Sequence, residues 1–291
     1  MPLVNKPSFL NLITALAAEL GAEGFDPAVI MENPIAAAQL NPYVGMGNPN
    51  SDILMVGTEK ALTVANPAHA AILAHELYLN VSHWNDLIVN YNHLTHPFDP
   101  GLLARFTPFT GFNPFSPLLF AITRALVLGH HGHTYYGLER LLMQYEAINA
   151  LAPTNVMENI NFHDSSFSRC FITEISARPA VNLNQAKFNL AHFFAGNRYH
   201  FMTTQAAAFY QSFRTVVLYA GKNAKYVGNA GTLNRLQIIQ IFNPTLTHAD
   251  IHILPDHVYY ENGTGARVIL CRHLSSGFGG AIPHNVALSI L

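Results

Sequence analysis

The sequence predicts an α/β protein, a three-layer α/β/α sandwich around a central, mainly parallel sheet of four strands. Four apolar runs carry this prediction, and they begin near Asp52, Arg169, Thr215 and Arg267. Uninterrupted apolar runs are typical of parallel strands that are buried on both faces. Segments with helical periodicity separate the runs, and strands that alternate with helices indicate parallel βα units.

The first helix is predicted near the start of the chain, where Ser8 can cap it and Gly21 can end it. A connection rich in Pro and Asn then leads to the first strand, over residues 52–58. The later helices have helical periodicity and are predicted over residues 68–92, 134–151, 198–213 and 282–291. The stretch 94–117 carries five prolines and is predicted to be a long loop.

The other strands are predicted from their apolar runs. They lie over residues 170–175, over residues 215–220, and in the second arm of a hairpin within 251–270. Glu261-Asn262-Gly263 is the turn signal of that hairpin. No internal repeat and no clear boundary divides the chain, so we expect a single domain over residues 1–291, with 1–50 as an N-terminal helical extension.

Composition narrows the function classes. The chain is 50% hydrophobic but only 11% charged, against about 25% in typical domains. Its formal net charge of −2 argues against DNA binding by bulk positive charge, although it leaves room for a small basic crevice. The two cysteines fall inside predicted strands, as expected of buried thiols in a reducing compartment. With no secretory signal and no apolar run of about 18 residues, a cytoplasmic monomer without a membrane partner is expected.

Polar side chains gather where the predicted strands end. They are Glu59 and Lys60, Glu174 and Arg178, Lys222 and Asn223, and Arg272, His273 and Ser275. Ligands of open α/β sheets bind just beyond the carboxyl ends of the strands. Glu59 and His273 would therefore face one crevice as an acid/base pair, which predicts an enzyme; a solvated rim of the sheet is the alternative.

Three of these strand ends together carry a resemblance to a known family. They are Ile-Leu-Met-Val-Gly-Thr-Glu-Lys-Ala over 53–61, Phe-Ile-Thr-Glu-Ile over 171–175 followed by Arg178-Pro179, and Ile-Leu-Cys-Arg-His-Leu-Ser over 269–275. In this order the chain resembles a divergent branch of the uracil-DNA glycosylase-like superfamily. Such proteins place a four-stranded parallel sheet between helices and excise a damaged base from DNA. The resemblance implies DNA as the partner and neither a metal nor another cofactor.

The resemblance also implies two catalytic roles. Gly57, Thr58 and Glu59 match the family's Gly-x-Asp or Gly-x-Asn turn, whose side chain orients the water that attacks the sugar carbon. His273 matches the histidine of the family's His-Pro-Ser motif, which stabilises the leaving base as an anion. These roles suit the reaction, because positive charge develops on the sugar and negative charge on the base.

Other positions match the family less closely. Glu174 stands where an asparagine usually reads the base, which implies that a different base edge is accepted. Lys60 and Leu274 stand where the family has proline, and Phe278 lies near the wedge position that enters the minor groove. The residues expected to contact DNA or its phosphates are Lys60, Arg178, Lys222, Arg272, Ser275 and Phe278.

Several features of the sequence allow two interpretations. The low charge also fits a non-catalytic nucleobase- or nucleotide-binding protein of the same fold. The histidines of 130–133 suggest zinc but lack a suitably spaced Cys or carboxylate, so a loop is expected there. The phenylalanines of 106–115 fit a stacking wall or plain packing. The glycines of 277–280 fit a phosphate contact or a hinge.

Overall fold

The protein is described by a computed structural model. The described residues are 2–23, 42–57, 79–94, 133–151, 169–175, 193, 195–219, 233–272, 274 and 281–290. In these ranges the chain forms a mixed α/β fold whose helices accompany a seven-stranded sheet. The α/β class predicted from the apolar runs is therefore confirmed.

The strands of the sheet are short and mostly buried. They are β1 Met46–Gly47, β2 Ile53–Gly57, β3 Cys170–Glu174, β4 Thr215–Leu218, β5 Ile251–Ile253, β6 Val258–Tyr260 and β7 Arg267–Leu270. Their order across the sheet is β1-β3-β2-β4-β7-β6-β5.

The four predicted strands form the centre of this sheet as β3, β2, β4 and β7, all parallel. They are in level register, since Ile53 lies opposite both Cys170 and Thr215, and Thr215 lies opposite Arg267. Consecutive residues on β2, such as Leu54 and Met55, are fully buried. Both faces of the central strands are therefore covered, which is why their sequences are apolar without alternation.

The predicted number of four strands is wrong, because three antiparallel strands extend the sheet to seven. β1 pairs with β3 at one edge, and β6 and β5 follow β7 at the other. The turn signal at Glu261-Asn262-Gly263 correctly joins β6 to β7, and Gly263 has a positive φ of 77°. β1 and β5 are too short, and β5 too exposed, to produce the apolar run that predicts a strand.

The helices alternate with the central strands. They are α1 Pro7–Glu23, α2 Asn80–Asp86, α3 His133–Ile148, α4 Asn197–Thr203, α5 Ala207–Tyr210, α6 Leu233–Phe242 and α7 Ile282–Ala287. A π-helical turn, Leu87–Tyr91, continues α2, and a 3₁₀ turn, His248–Asp250, precedes β5. Among the described ranges, no helix has the length and apolar character needed to cross a membrane.

Two helix predictions differ from the structure in detail. α1 begins at Pro7, so that Ser8 lies in its first turn and is not its cap. Proline suits the first helical position because its φ is preset and it needs no N–H there. The helix predicted over 198–213 is divided into α4 and α5, where the Thr203 and Thr204 hydroxyls bond back to carbonyls of the last turn of α4. Such bonds compete with the helical ladder.

Helix α1 belongs to the main core. The Phe9 ring lies 4.8 Å from Trp84 of α2, 5.6 Å from Phe171 of β3 and 4.7 Å from Phe209 of α5, measured between ring centroids. All four rings are almost fully buried. Edge-on and tilted contacts between aromatic rings add to the apolar area that they bury. Helix α1 therefore packs directly on the central sheet.

Candidate functional site

The carboxyl edge of the parallel strands has a point where the chain connections diverge. From β2 the chain continues to β3 on one side, whereas from β4 it continues to β7 on the other. Open α/β sheets bind ligands in the crevice at such a reversal of strand order. Gly57 is the last residue of β2, and Tyr219 directly follows β4.

Backbone pairing continues one residue beyond the strands at this edge. The Tyr219 N–H donates to the Val56 carbonyl at 3.0 Å, and the Ile175 N–H donates to the Gly57 carbonyl at 2.9 Å. Gly57 lies opposite Glu174 in the register of β2 and β3. Glu174, Gly57 and Tyr219 therefore form one row across three neighbouring strands.

The side chains of this row converge over Gly57. A Cβ atom at this glycine would lie 2.6 Å from the Tyr219 hydroxyl and 2.7 Å from the Glu174 carboxyl carbon. The Glu174 carboxylate and the Tyr219 phenol thus both occupy the space that a side chain at position 57 would fill. Only glycine permits this approach, since both distances are shorter than any normal contact of a Cβ atom.

Glu174 and Tyr219 are both well shielded from water. Each side chain is only 5% exposed, although each follows or ends a strand at the rim of the sheet. A buried carboxylate is costly to desolvate unless hydrogen bonds or charges compensate it. Buried titratable groups at such a reversal of strand order are candidates for function.

Arg198 of α4 fixes the backbone that carries Glu174. Its guanidinium donates to the carbonyls of Glu174 and Tyr43 and, at 3.3 Å, to that of Ile175. It also donates to the Thr173 hydroxyl at 3.1 Å. The rigid fork of an arginine suits several acceptors at once, so it holds the end of β3 in one conformation.

Arg272 lies at the same edge, two residues beyond the end of β7. The preceding Cys271 N–H donates to the Leu218 carbonyl at 3.0 Å, which keeps this segment beside β4. The Arg272 side chain is exposed. It can therefore meet an anionic ligand that lies along the carboxyl edge.

Sequence reasoning identified Gly57, Glu174 and Arg272 but missed two residues. Tyr219 lies within the predicted strand 215–220 and Arg198 at the start of the predicted helix 198–213, and neither pattern marks a site residue. Tyr219 is the residue directly after β4, and polar side chains just beyond strand ends are the criterion that selects Glu59 and His273 from the sequence. The same criterion, applied to every strand end, would have found it.

Eight predicted site residues lie outside the described residues. They are Thr58, Glu59, Lys60, Arg178, Lys222, His273, Ser275 and Phe278. The stretches 95–130 and 275–280, with their phenylalanines and glycines, lie outside them too. The strands that lead into Glu59 and His273, β2 and β7, end at one edge with β4 between them.

Neither the two cysteine thiols nor a group of metal ligands among the described residues adds a reactive centre to this edge. Burial raises the pKa of the Cys271 thiol to about 12 and raises that of Cys170 further still. Neutral thiols of this kind are poor nucleophiles and poor metal ligands. In the part of the chain that the structure describes, no three His, Cys, Asp or Glu side chains are grouped so that they could hold a metal ion.

Comparison of the chain with protein-family models, with curated proteins and with solved structures gives no match. A functional assignment therefore depends on the side chains at the carboxyl ends of the parallel strands.

Proposed function

We propose that this protein is a DNA glycosylase-like hydrolase that excises a damaged base by hydrolysing its N-glycosidic bond. One observation carries the proposal. A buried carboxylate and a phenol, from Glu174 and Tyr219, converge over Gly57 where the strand order reverses. The strands that continue into Glu59 and His273 end at the same edge.

The proposed reaction divides the work between two ends of the substrate. The target base leaves the helical stack and enters the crevice beside Gly57. Glu59 orients the water that attacks the sugar carbon, where positive charge develops as the bond to the base breaks. His273 stabilises the departing base as an anion. Glu174 and Tyr219 contact the base, while Arg272, Lys60 and Ser275 contact phosphates.

The fold gives this proposal further support. The family that the sequence resembles has a four-stranded parallel sheet between helices, and β3, β2, β4 and β7 are four adjacent parallel strands buried on both faces. We infer that a three-layer α/β/α sandwich underlies the catalytic edge. The antiparallel strands are additions at the rims of the sheet and lie away from Gly57.

A rival function is favoured by charge. With a net charge of −2 and 11% charged residues, the chain has little to offer a long phosphate backbone. A non-catalytic protein that binds a nucleobase or a nucleotide would need only the crevice and one or two cations. In that case Glu174 and Tyr219 would still contact the ligand, but Glu59 and His273 would be dispensable.

The two functions are separated by an incision assay. Duplex and single-stranded oligonucleotides, each with one damaged base, are incubated with the protein and then treated with alkali to cleave abasic sites. The wild type should release at least one base, and His273→Ala should lose at least about a hundredfold in rate, as expected when a group that stabilises developing negative charge is removed. Arg272→Ala is the matched control, because it removes a cation at the same edge without removing the acid/base pair.

If no substrate is cleaved while free bases or nucleotides bind to the wild type, the rival function replaces the hydrolase. Equal rates for the wild type and His273→Ala would remove the proposed role of the histidine.

A further inference from the structure

The outer edge of the sheet at β5 is open to solvent. β5 is the last strand in the sheet order, and among the described residues its one pairing partner is β6. Ile253 is 73% exposed, and His252 beside it is exposed as well. Neither lysine nor proline interrupts the strand Ile251–Ile253. β5 is only three residues long, yet an exposed edge strand still carries N–H and carbonyl groups with which another strand can pair.

The hydrogen bonds at both ends of β5 define which backbone groups face outward. The Leu254 N–H donates to the His257 carbonyl at 3.0 Å, and the Glu261 N–H donates to the Asp250 carbonyl at 3.1 Å. In an antiparallel pair, residues that bond to the partner strand alternate with residues that point away from it. Positions 250, 252 and 254 therefore face β6.

It follows that Ile251 and Ile253 present their N–H and carbonyl groups to the open side. The segment Ile251-His252-Ile253 also reads the same in both directions. A strand with these two properties is complementary to itself. When two copies meet antiparallel with His252 on a two-fold axis, Ile251 of each copy lies opposite Ile253 of the other, and every outward group of these two residues gains a partner.

We propose that a second copy of this chain docks on the edge of β5 and joins the two sheets into one. This differs from the monomer that the sequence predicts. The inference is independent of the proposed function, because it rests on the edge strand β5, which three other strands separate from β2 and Gly57.

The side chains of the edge fit a second copy. Ile251 packs against the main core and is partly buried, whereas Ile253 on the same face of the strand is exposed. Pairing brings Ile253 of one copy against Ile251 of the other, and cross-strand pairs of β-branched side chains stabilise sheets.

The dimer leaves both candidate sites open. An antiparallel two-fold arrangement turns the carboxyl edges of the two sheets in opposite directions. The low net charge of −2 opposes association little. The contact is small, so a weak and reversible dimer is expected.

Sedimentation velocity from low to high micromolar concentration tests the dimer. The wild type should shift from monomer to dimer as its concentration rises, and Ile253→Lys should remain monomeric. Val89→Lys is the matched control, because Val89 is an apolar side chain with 69% exposure on the turn after α2. It should dimerise like the wild type. A monomeric wild type throughout, or equal dimerisation of Ile253→Lys, would overturn the proposal.

A cysteine at the two-fold position tests the register. Opposed residues of a non-hydrogen-bonded pair have Cα atoms about 4.5 Å apart, which is within the range of a disulfide. His252→Cys should therefore form a disulfide-linked dimer in air, whereas Val89→Cys should not. The native thiols do not interfere, since Cys170 and Cys271 are buried. Cross-linking of both variants to the same extent would refute the register.

Discussion

Replacing Gly57 by alanine tests the geometry of the candidate site most directly. The new methyl group would stand 2.6 Å from the Tyr219 hydroxyl and 2.7 Å from the carboxyl carbon of Glu174. Both distances are well below a normal contact, so at least one side chain must move. Both residues are only 5% exposed. Overpacking in such surroundings typically costs about 1–3 kcal/mol.

A double-mutant cycle attributes this cost to its source. Gly57→Ala should lower the free energy of unfolding, measured by urea denaturation, by about 1–3 kcal/mol. In a Glu174→Ala background the methyl group has room on one side. The cost of Gly57→Ala should then fall by roughly 1 kcal/mol or more, as expected for residues in direct contact.

Gly263→Ala provides the control. Gly263 has a φ of 77°, and a Cβ atom there would meet nothing within 4 Å. Its substitution should cost only the backbone strain of about 1–2 kcal/mol and should be unaffected by Glu174→Ala. The site geometry is refuted if Gly57→Ala is neutral, or if its cost is the same with and without the glutamate.

Three further predictions concern charge and burial. Desolvation lowers the pKa of Lys6 to about 8, and the charge of Asp52 partly opposes this shift. Between about pH 8 and 10.5 the unfolded chain therefore binds more protons than the folded protein, so the free energy of unfolding should rise with pH in that window. Urea unfolding at several pH values should show this rise for the wild type and not for Lys6→Met. The Cys170 and Cys271 thiols should resist a disulfide reagent at pH 8 in the native protein and react fully in urea, because burial raises the pKa of both. If three to five phosphates are contacted, log affinity for a fluorescent duplex should fall against log salt with a slope of roughly −3 to −4.5, and Arg272→Ala should reduce the slope by about one unit without changing base preference.

Each of these has a clear opposite result. Parallel pH curves for the wild type and Lys6→Met would show that this ammonium is not desolvated. Rapid labelling of either thiol in the native state would show that it is reached by solvent. Absence of duplex and single-strand binding at low salt would exclude the hydrolase and favour the ligand-binding rival.

The four central strands were predictable because their signal is local. A strand buried on both faces must be apolar at every position, so each of the runs near Asp52, Arg169, Thr215 and Arg267 identifies itself without reference to the others. The same holds for α3, whose apolar spacing is visible along one segment, and for the turn at 261–263. Glu174 and Gly57 were singled out for the same reason, since each ends such a run.

The remaining features depend on contacts between distant segments. The order of the strands brings Tyr219 beside Gly57, although the two residues are 162 positions apart in the sequence. Arg198 reaches the end of β3 from another helix. β5 lies within the predicted hairpin segment 251–270, but with three residues and little burial it is not recognisable there as a strand of its own.

Sequence by itself therefore determined which segments form the four central strands and approximately where they end, because burial on both faces is imposed residue by residue. Only the tertiary structure decided which strand ends are neighbours, and so which polar groups meet over Gly57 and which edge of the sheet is left open. Strand pairing is made by backbone hydrogen bonds that every residue can form, and the choice among partners is set by packing of the whole chain.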